Sequence, residues 1–336
     1  YISFKNLPRF GFKAGQFLNG ESIVQYTKLG KRGPKISTVG FGAWAIGGMN
    51  WGPTDDEVSL KALHTVLDEG VTFIDTADVY GFGHSEDLIA KVLKERGKGD
   101  LIIATKAGND FYNADQETDS RYGAIQQNYK KEYLIEAVEK SLKRLGVETL
   151  DILQLHSPDI EKLEWDDPWE ALTRLKEQGK IQHAGLSIQS FKESEQAYLL
   201  ERHQDLLDVI QVRYNLLERK AEKLLFPEAI KYGVGVIVRI PMLFGLLSGK
   251  FDRKSVFEGD DHRRFNLDAE KLNSYLTKME SMDKLYDRYA EWSPAQIALR
   301  FGISHPACHV SIPGGKTPDQ VKENCAASDM PEITLK

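Results

Sequence analysis

The chain has few cysteines, no long apolar run and no excess of positive charge. Its two cysteines, Cys308 and Cys325, cannot form a disulfide framework, so we expect free thiols and a reducing compartment, the cytoplasm. No stretch approaches the ~20 apolar residues that a membrane-spanning helix needs. A formal net charge of -6 argues against nucleic acid or an anionic membrane as the partner. We therefore expect a small-molecule ligand.

Metal-binding and dinucleotide-binding patterns are also missing. His305, Cys308 and His309 lie close together in the sequence, but no further ligand cluster accompanies them, so we expect no metal site. The Gly-x-Gly-x-x-Gly fingerprint of dinucleotide-binding open sheets does not follow the first predicted strand. Its absence counts against a doubly wound open sheet.

The first residues read differently from the rest of the chain. Glycines are scattered among aromatic residues with no usable period, and the segment lacks the apolar centre of a signal peptide. The chain also begins with Tyr1 rather than Met. Residues 1–24 are therefore expected to be an extension or a cloning remnant outside the fold, and residues 25–330 to form a single domain.

Predicted strands and helices alternate along the rest of the chain, after a β-hairpin predicted at 24–37. Most strand candidates are short, continuous apolar runs, which is typical of a parallel sheet covered on both faces. Eight β/α units in a chain of this length are best closed as a barrel, and a doubly wound open sheet is the alternative. The predicted strands are 38–41, 72–75, 101–106, 151–156, 182–188, 207–214, 235–240 and 309–312.

The expected fold is therefore an α/β protein, a (β/α)8 TIM barrel with an N-terminal β-hairpin and long loops on the C-terminal rim. Thr54 is the expected N-cap of the first helix, which should stop at Gly70. Two connections, 109–128 and 251–292, are longer than ordinary loops, and we expect them to cover a substrate. Further helices are predicted at 86–95, 133–145, 169–178, 191–200, 221–232 and 294–301.

Polar side chains stand at or just past the ends of three predicted strands. Asp75 and Tyr80 follow the second strand, Lys106 ends the third and His156 ends the fourth. Because the carboxyl ends of parallel strands meet on one rim, we expect the four side chains to converge there. Each alone is better read as a structural residue, but together they can give a proton to a carbonyl oxygen.

The expected chemistry is proton donation during hydride transfer. A carbonyl accepts hydride well only when its oxygen is protonated or strongly polarised. Tyr80 can supply that proton, but a free phenol has a pKa of about 10. A neighbouring ammonium, that of Lys106, would lower this pKa, and Asp75 would hold Lys106 charged. His156 would bind the same oxygen and orient the substrate.

With these residues in place, nearly all of residues 25–327 resembles the aldo-keto reductase family. The resemblance implies a β/α barrel that binds a nicotinamide cofactor, usually NADPH, and transfers hydride to aldehydes and ketones. It also implies that Tyr80 is the general acid, that Asp75 and Lys106 tune it, and that His156 orients the carbonyl. The matching motifs are Asp75-Thr76-Ala77-x-x-Tyr80-Gly81 with Glu86, Ile-Ala-Thr-Lys ending at Lys106, Asp151-x-x-x-Leu155-His156, Gly185-Leu186-Ser187, Gly245-Leu246-Leu247-x-Gly249-Lys250 and Ile312-Pro313-Gly314-Gly315-Lys316.

The resemblance implies a cofactor site as well. Lys316 can pair with a 2′-phosphate, so NADPH is expected rather than NADH. Ile188 replaces the family's asparagine at the carboxamide site, and Arg239 replaces the aromatic residue that stacks on the nicotinamide. Trp44, Trp51 and Tyr112 are expected to wall the substrate pocket. The cofactor-binding residues carried over are Gly42, Ala43, Trp44, Ser187, Gln211, Arg239, Pro241, Gly245, Leu246, Lys250, Gly314, Lys316, Gln320, Glu323 and Asn324.

Two functions are compatible with this set. The first is NADPH-dependent reduction of an aldehyde or ketone, such as a sugar or a small carbonyl compound, with the proton coming from Tyr80. The alternative is a cofactor-binding regulatory or redox-sensing subunit with little turnover, which some barrels of this family are. A glycosidase would need two carboxylates facing each other across a pocket, and Asp75 has no matching partner in the sequence.

Overall fold

The computed structural model describes residues 24–52, 54–113 and 125–335. Most of the expected extension, residues 1–23, and part of the long loop after the third predicted strand therefore lie outside the described residues. Val24, the last residue of the expected extension, is buried in the main hydrophobic core. No helix among the described residues is long and apolar enough to cross a membrane.

The described chain begins with the predicted hairpin. Strand β1 (Tyr26–Lys28) pairs antiparallel with β2 (Lys35–Ser37). Leu29 and Ile36 of this hairpin are fully buried and belong to one apolar cluster with residues from six strands of the main sheet. The hairpin backbone at Gly30 lies directly against the first residue of a sheet strand. The hairpin therefore covers the N-terminal end of the sheet.

The main sheet contains eight parallel strands among the described residues, arranged in chain order. Its first and last strands are joined by parallel bridges from Val39 to Ser311 and from Gly42 to Gly314. These bridges close the sheet, and the predicted (β/α)8 barrel is confirmed. Its strands are β3 (Phe41–Gly42), β4 (Phe73–Asp75), β5 (Ile102–Ala107), β6 (Leu150–His156), β7 (Ile181–Ser187), β8 (Leu207–Arg213), β9 (Gly235–Arg239) and β10 (Val310–Ser311).

Helices cover the outside of the barrel and fill the long connection after β9. Their apolar faces pack on the strands to form the main core. In chain order the helices are α1 (Asp56–Asp68), α2 (His84–Arg96), α3 (Lys131–Leu145), α4 (Ile160–Leu163), α5 (Asp167–Glu177), α6 (Leu199–Arg202), α7 (Leu225–Tyr232), α8 (Arg263–Asn266), α9 (Ala269–Glu280), α10 (Asp283–Arg288), α11 (Pro294–Ser304) and α12 (Pro318–Ala326).

Two helix predictions were wrong in detail. The N-cap of α1 is Asp55 rather than Thr54, because the Asp55 carboxylate accepts a hydrogen bond from the backbone of Val58 at 3.0 Å. The helix predicted at 191–200 is reduced to the single turn of α6. Phe191 adopts a left-handed conformation with φ of 66°, which a right-handed helix cannot contain.

Asp208 is a buried anion outside the rim, near the start of β8. It is 1% exposed, and it accepts hydrogen bonds from Lys176 at 2.7 Å, from the backbone of Ala184 at 3.1 Å and from Arg32. Burial alone would raise the pKa of Asp208, but hydrogen bonds from His183, Lys176 and Arg32 outweigh it and lower the pKa well below its ordinary value. This carboxylate therefore ties the hairpin, α5 and β7 to β8.

We expect Asp208→Asn to reduce the free energy of unfolding by about 1–3 kcal/mol at pH 7, because the donors lose their anion. A lowered folded-state pKa stabilises the fold above the unfolded pKa of about 4, and this contribution is lost as the pH falls. The difference from wild type should therefore shrink on acidification. Urea unfolding at several pH values measures it, with the exposed Asp205→Asn as control; an equal effect of both substitutions would contradict the assignment.

Candidate active site

The four polar residues predicted from the strand ends meet on the C-terminal rim. The ammonium of Lys106 donates to Asp75 Oδ2 at 2.7 Å and to the backbone oxygen of Thr76 at 2.7 Å. It also lies 3.3 Å from the hydroxyl of Tyr80. The rings of Tyr80 and His156 meet edge to face, with centroids 5.8 Å apart. The phenol is thus between a cation and an imidazole.

The lysine at the centre of this cluster is almost completely buried, with 1% of its side chain exposed. Burial lowers the pKa of Lys106, but the carboxylate of Asp75 and the oxygen of Tyr80 raise it by more, so the net shift is upward. Lys106 is therefore an ammonium at neutral pH. Its charge is matched by the Asp75 carboxylate rather than by solvent.

The pKa of Tyr80 differs from the sequence expectation in its net direction. Lys106 lowers this pKa as expected, but burial of the phenol raises it by more, and Asp75 raises it further. The net pKa of Tyr80 therefore lies above 10. Tyr80 consequently keeps its proton throughout the neutral range.

His156 is held as a neutral imidazole. Burial lowers its pKa well below 6.5, and the positive charges of Lys106 and Arg239 lower it further. The backbone of His156 is fixed by the hydroxyl of Tyr129, which donates to its carbonyl oxygen at 2.7 Å. A neutral imidazole can donate one hydrogen bond to a carbonyl oxygen without adding charge to the site.

Two buried glutamines hold the far side of Asp75. Gln211 donates to Asp75 Oδ1 at 2.6 Å, and Gln154 donates to the same oxygen at 3.3 Å. Gln211 was predicted as a cofactor-binding residue, and its amide nitrogen here donates to Asp75. Gln154 was missed from the sequence, although a polar residue inside the apolar run of β6 was a usable signal, because buried polar groups need partners.

A cavity of about 950 Å³ opens beside this cluster, within the size range of small-molecule sites. Asp75, Tyr80 and His156 line one part of it. The other predicted residues that line it are Gly42, Trp44, Trp51, Ser187, Gln211, Arg239, Pro241, Gly245, Lys250, Gly314, Lys316, Gln320, Glu323 and Asn324.

Four predicted site residues do not line the cavity: Lys106, which is buried against Asp75 and Tyr80, and Ala43, Leu246 and Tyr112. Ala43 and Leu246 are fully buried in the core. Tyr112 turns away from the expected substrate pocket, because its hydroxyl accepts a hydrogen bond from Arg144 at 3.1 Å and its ring packs on Phe111 with centroids 4.0 Å apart. The expectation that Tyr112 walls the pocket is therefore corrected.

Two polar residues fix the wall of the cavity after β7 and β9. The Ser187 hydroxyl lies 3.1 Å from the hydroxyl of Ser157. Arg239 donates through Nη2 to the Ser190 hydroxyl at 2.9 Å and to the backbone oxygen of Ile188 at 3.1 Å. The guanidinium is therefore fixed in position at the cavity wall, next to the residue that replaces the family's asparagine.

The loop before α12 forms another part of the cavity lining. The ammonium of Lys316 donates to the backbone oxygen of Trp51 at 2.8 Å, and its backbone nitrogen donates to the Gln320 side chain at 2.8 Å. Asn324 donates to the backbone oxygen of Gly314 at 3.3 Å. These contacts fix a cation and a glycine turn side by side.

Aromatic rings from distant parts of the chain cover the cavity. Trp44 packs on Trp51 with centroids 5.2 Å apart and on Tyr80 at 6.0 Å. His262, from the long connection after β9, stacks on Trp44 at 4.6 Å. That connection therefore covers the site, as expected from its position. Arg263 of the same connection also lines the cavity and was missed, although the charged run around it was a visible signal.

The turn after β9 contributes strained backbone beside the cavity. Leu243, Phe244 and Gly245 have consecutive positive φ values of 47°, 58° and 92°. Left-handed backbone at a residue other than glycine costs about 1–3 kcal/mol, and such strain clusters at ligand sites. Gly245 lines the cavity, and so does Phe244. Because Gly245 has no side chain, a bound molecule can approach the main chain closely at this position.

The sequence model of the aldo/keto reductase family matches residues 38–335. The chain belongs to the aldo-keto reductase family. Among curated relatives, it is 33% identical over 302 residues to aldo-keto reductase YhdN of Bacillus subtilis, covering 89% of this chain and 87% of that protein. It is 27% identical over 319 residues to a probable voltage-gated potassium channel subunit beta of Arabidopsis thaliana, covering 91% and 92%.

A solved structure is also similar to this aldo-keto reductase. The glycerol dehydrogenase AKR11B4 from Gluconobacter oxydans aligns with a TM-score of 0.76 and 30% identity, covering 93% of this chain and 92% of the other. The protein is thus an oxidoreductase that acts on carbonyl groups, from a family that binds a nicotinamide cofactor. The glycine turns and fixed cations of the cavity fit such a cofactor. Among the described residues, no group of three or more His, Cys, Asp or Glu is placed to hold a metal ion.

We expect the His156 imidazole to remain neutral at pH 6, below the ordinary imidazole pKa of about 6.5, because burial and two cations oppose its protonation. Nitrogen-15 NMR of histidine-labelled protein reports the protonation state of each ring. His156→Gln identifies the signal to follow, since it should vanish in that variant alone. An imidazolium signal for His156 at pH 6 would contradict the electrostatic picture of this reductase.

Proposed function

We propose that this aldo-keto reductase reduces an aldehyde or ketone to the alcohol with NADPH and a proton from Tyr80. The observation that carries the proposal is the position of the Lys106 ammonium, 2.7 Å from Asp75 and 3.3 Å from the Tyr80 hydroxyl. A protonated phenol beside a buried cation and a neutral imidazole is suited to stabilise charge that develops on an oxygen.

In the proposed reaction the nicotinamide, when bound, supplies the hydride. The Tyr80 hydroxyl and the His156 imidazole both hydrogen-bond the carbonyl oxygen and fix its direction. As negative charge develops on that oxygen, the phenol proton moves to it and leaves a phenolate. Lys106 stabilises the phenolate, and Asp75 keeps Lys106 in place. The charge on the tyrosine then stays within a few ångströms of its counter-ion.

We infer that the cofactor lies along the line of predicted residues in the cavity. Ser187 and Arg239 would bind its nicotinamide end, with the fixed guanidinium taking the place of the usual aromatic ring. Lys316 would pair with the 2′-phosphate, and Gln320 and Asn324 would surround the adenosine. The contacts that already fix Arg239 and Lys316 support this arrangement, because preorganised groups lose less freedom on binding.

For the substrate we propose a small or hydroxylated carbonyl compound. The wall near the catalytic cluster combines the rings of Trp44 and Trp51 with the amides of Asn109 and Gln127. Such a wall offers both apolar contact and hydrogen bonds to hydroxyl groups. The name of the glycerol dehydrogenase relative points in the same direction.

We also propose a reducing compartment, the cytoplasm, as the site of action. Cys308 and Cys325 are both free thiols in the structure. Burial raises the pKa of the Cys308 thiol well above its ordinary value and that of Cys325 to about 12, so both are poor nucleophiles.

For the proposed reaction, we expect Tyr80→Phe to lower kcat for carbonyl reduction at least 10²-fold, because the proton donor is lost while the ring remains. NADPH absorbance is followed with a panel of aldehydes, ketones and keto-sugars, and NADPH binding is measured by fluorescence. Binding should stay within about twofold of wild type, since only one hydroxyl changes. Full activity of the variant would contradict the role of Tyr80.

The same panel distinguishes the second candidate function, a cofactor-binding subunit with little turnover. Similarity to the plant potassium channel subunit beta is the observation that favours it. Tight NADPH binding with no reduction of any carbonyl on the panel would support this candidate. Rapid substrate-dependent oxidation of NADPH would support the reductase.

A further prediction concerns the choice of cofactor. We expect Lys316→Met to raise KM for NADPH by about 10- to 100-fold and to change KM for NADH little, because a charge-assisted hydrogen bond contributes about 1.5–3 kcal/mol. Lys322→Met, an exposed lysine on the adjacent α12, is the matched control and should leave both KM values unchanged. Equal losses for the two cofactors would mean that Lys316 acts through Trp51 rather than through a phosphate.

A further inference from the structure

One buried ion pair outside the reacting groups lies against the segment that carries Tyr80. This segment, residues 76–83 between β4 and α2, is called the catalytic loop below. Arg144 of α3 pairs through Nη1 with Glu86 in the first turn of α2, and the two side chains are 15% and 0% exposed. Its Nη2 donates to the Tyr112 hydroxyl at 3.1 Å. One guanidinium therefore joins α2 to the loop after β5.

The catalytic loop ends directly on this guanidinium. A Cβ atom added at Gly83 would lie 2.5 Å from Nε and 2.8 Å from Cζ of Arg144. Gly83 also has a φ of 100°, a conformation that other residues rarely adopt. The backbone at the end of the loop is therefore packed against Arg144.

Glu86 also contacts β5, the strand that contains Lys106. The Thr105 hydroxyl donates to Glu86 Oε1 at 2.6 Å, and Thr105 is the residue before Lys106 in β5. Burial raises the pKa of Glu86, although Arg144 and Thr105 lower it in part. Removing Arg144 would leave this carboxyl group buried without its cation, which is strongly unfavourable.

Tyr112 connects Arg144 to the other side of the catalytic loop. Its ring packs on Phe111, and Phe111 stacks on Phe82 with centroids 5.6 Å apart. Phe111 belongs to a small apolar cluster with Ala77 and Val79, separate from the main core, against which Tyr80 packs. The tyrosine thus rests on a rim cluster that one arm of Arg144 helps to fix.

We propose that Arg144 is a positioning residue for the general acid: it holds the catalytic loop between α2 and the loop after β5, and so sets the distance between Tyr80 and Lys106. The proposal rests on the proposed role of Tyr80. Arg144, Glu86 and Tyr112 do not line the cavity, so they act through the loop rather than on a ligand.

Arg144→Met tests the proposal, with Lys98→Met as matched control. Lys98 pairs with the buried Asp151 at 2.9 Å, at the N-terminal end of β6 and away from the catalytic loop. We expect Arg144→Met to lower kcat by about 10- to 100-fold, because misplacing a reacting group by about 1 Å has an effect of that size. NADPH affinity should change less than twofold. Lys98→Met should change the free energy of unfolding without lowering kcat.

The pH dependence of kcat supplies a readout that a purely structural role would not move. Lys106 lowers the pKa of Tyr80, so a greater separation should raise that pKa and shift the alkaline limb of the profile to higher pH. This shift is expected in Arg144→Met and absent in Lys98→Met. Arg144→Lys keeps the charge but cannot hold two partners in a fork, so it should restore kcat only in part.

If Arg144→Met does not fold, Arg144→Lys and Tyr112→Phe carry the same test, because each removes part of the connection. A wild-type kcat in these variants, a loss no larger than in Lys98→Met, or an equal loss of NADPH affinity would overturn the proposal. Activity that survives in Tyr80→Phe would instead overturn the role of Tyr80. The two failures are therefore distinguishable.

Discussion

The buried ion pair between Lys106 and Asp75 is the constraint on which the rest of the site depends. An ammonium with 1% exposure is stable only next to a carboxylate and with its donors satisfied. The barrel meets this requirement because β4 and β5 are neighbouring parallel strands, and Asp75 at the end of β4 lies opposite Ala104, two residues before Lys106 in β5. Tyr80 then has a buried cation next to its hydroxyl. The fold sets the position of Lys106, and Asp75 keeps it positively charged.

Further polar groups arrange the surroundings of the pair. Gln154 and Gln211 fix one carboxylate oxygen from strands farther along the barrel. The Thr105 hydroxyl of β5 donates to Glu86, and burial together with the positive charges of Lys106 and Arg239 keeps the neighbouring imidazole of His156 neutral. These contacts give the three residues different states: Tyr80 holds the proton, His156 stays neutral, and Lys106 stays charged. Electrostatic preorganisation of this kind is typical of enzymes.

The barrel and its rim cluster were predictable because they depend on local pattern and topology. Apolar runs predicted the strands, and the parallel arrangement brought their polar ends together. The direction of Tyr112 was not predictable, because its hydroxyl is drawn to Arg144, 32 positions away. The net pKa of Tyr80 was also missed, because burial depends on the packing of the finished site. The helix predicted from Phe191 was wrong because the helical sequence pattern does not reveal the left-handed backbone of this residue.

The number of paired positions between neighbouring strands varies around the barrel. Among the described residues, β6 and β7 share six paired positions, whereas β3 pairs with β4 and β9 with β10 at two positions each. The seam between β3 and β10 is held by isolated bridges, and Gly42 and Gly314 on its two sides both face the cavity. A molecule that fills this cavity contacts both edges of the seam and so holds them together. Ligand binding and closure of the barrel are therefore coupled, and the occupied protein resists opening at this seam.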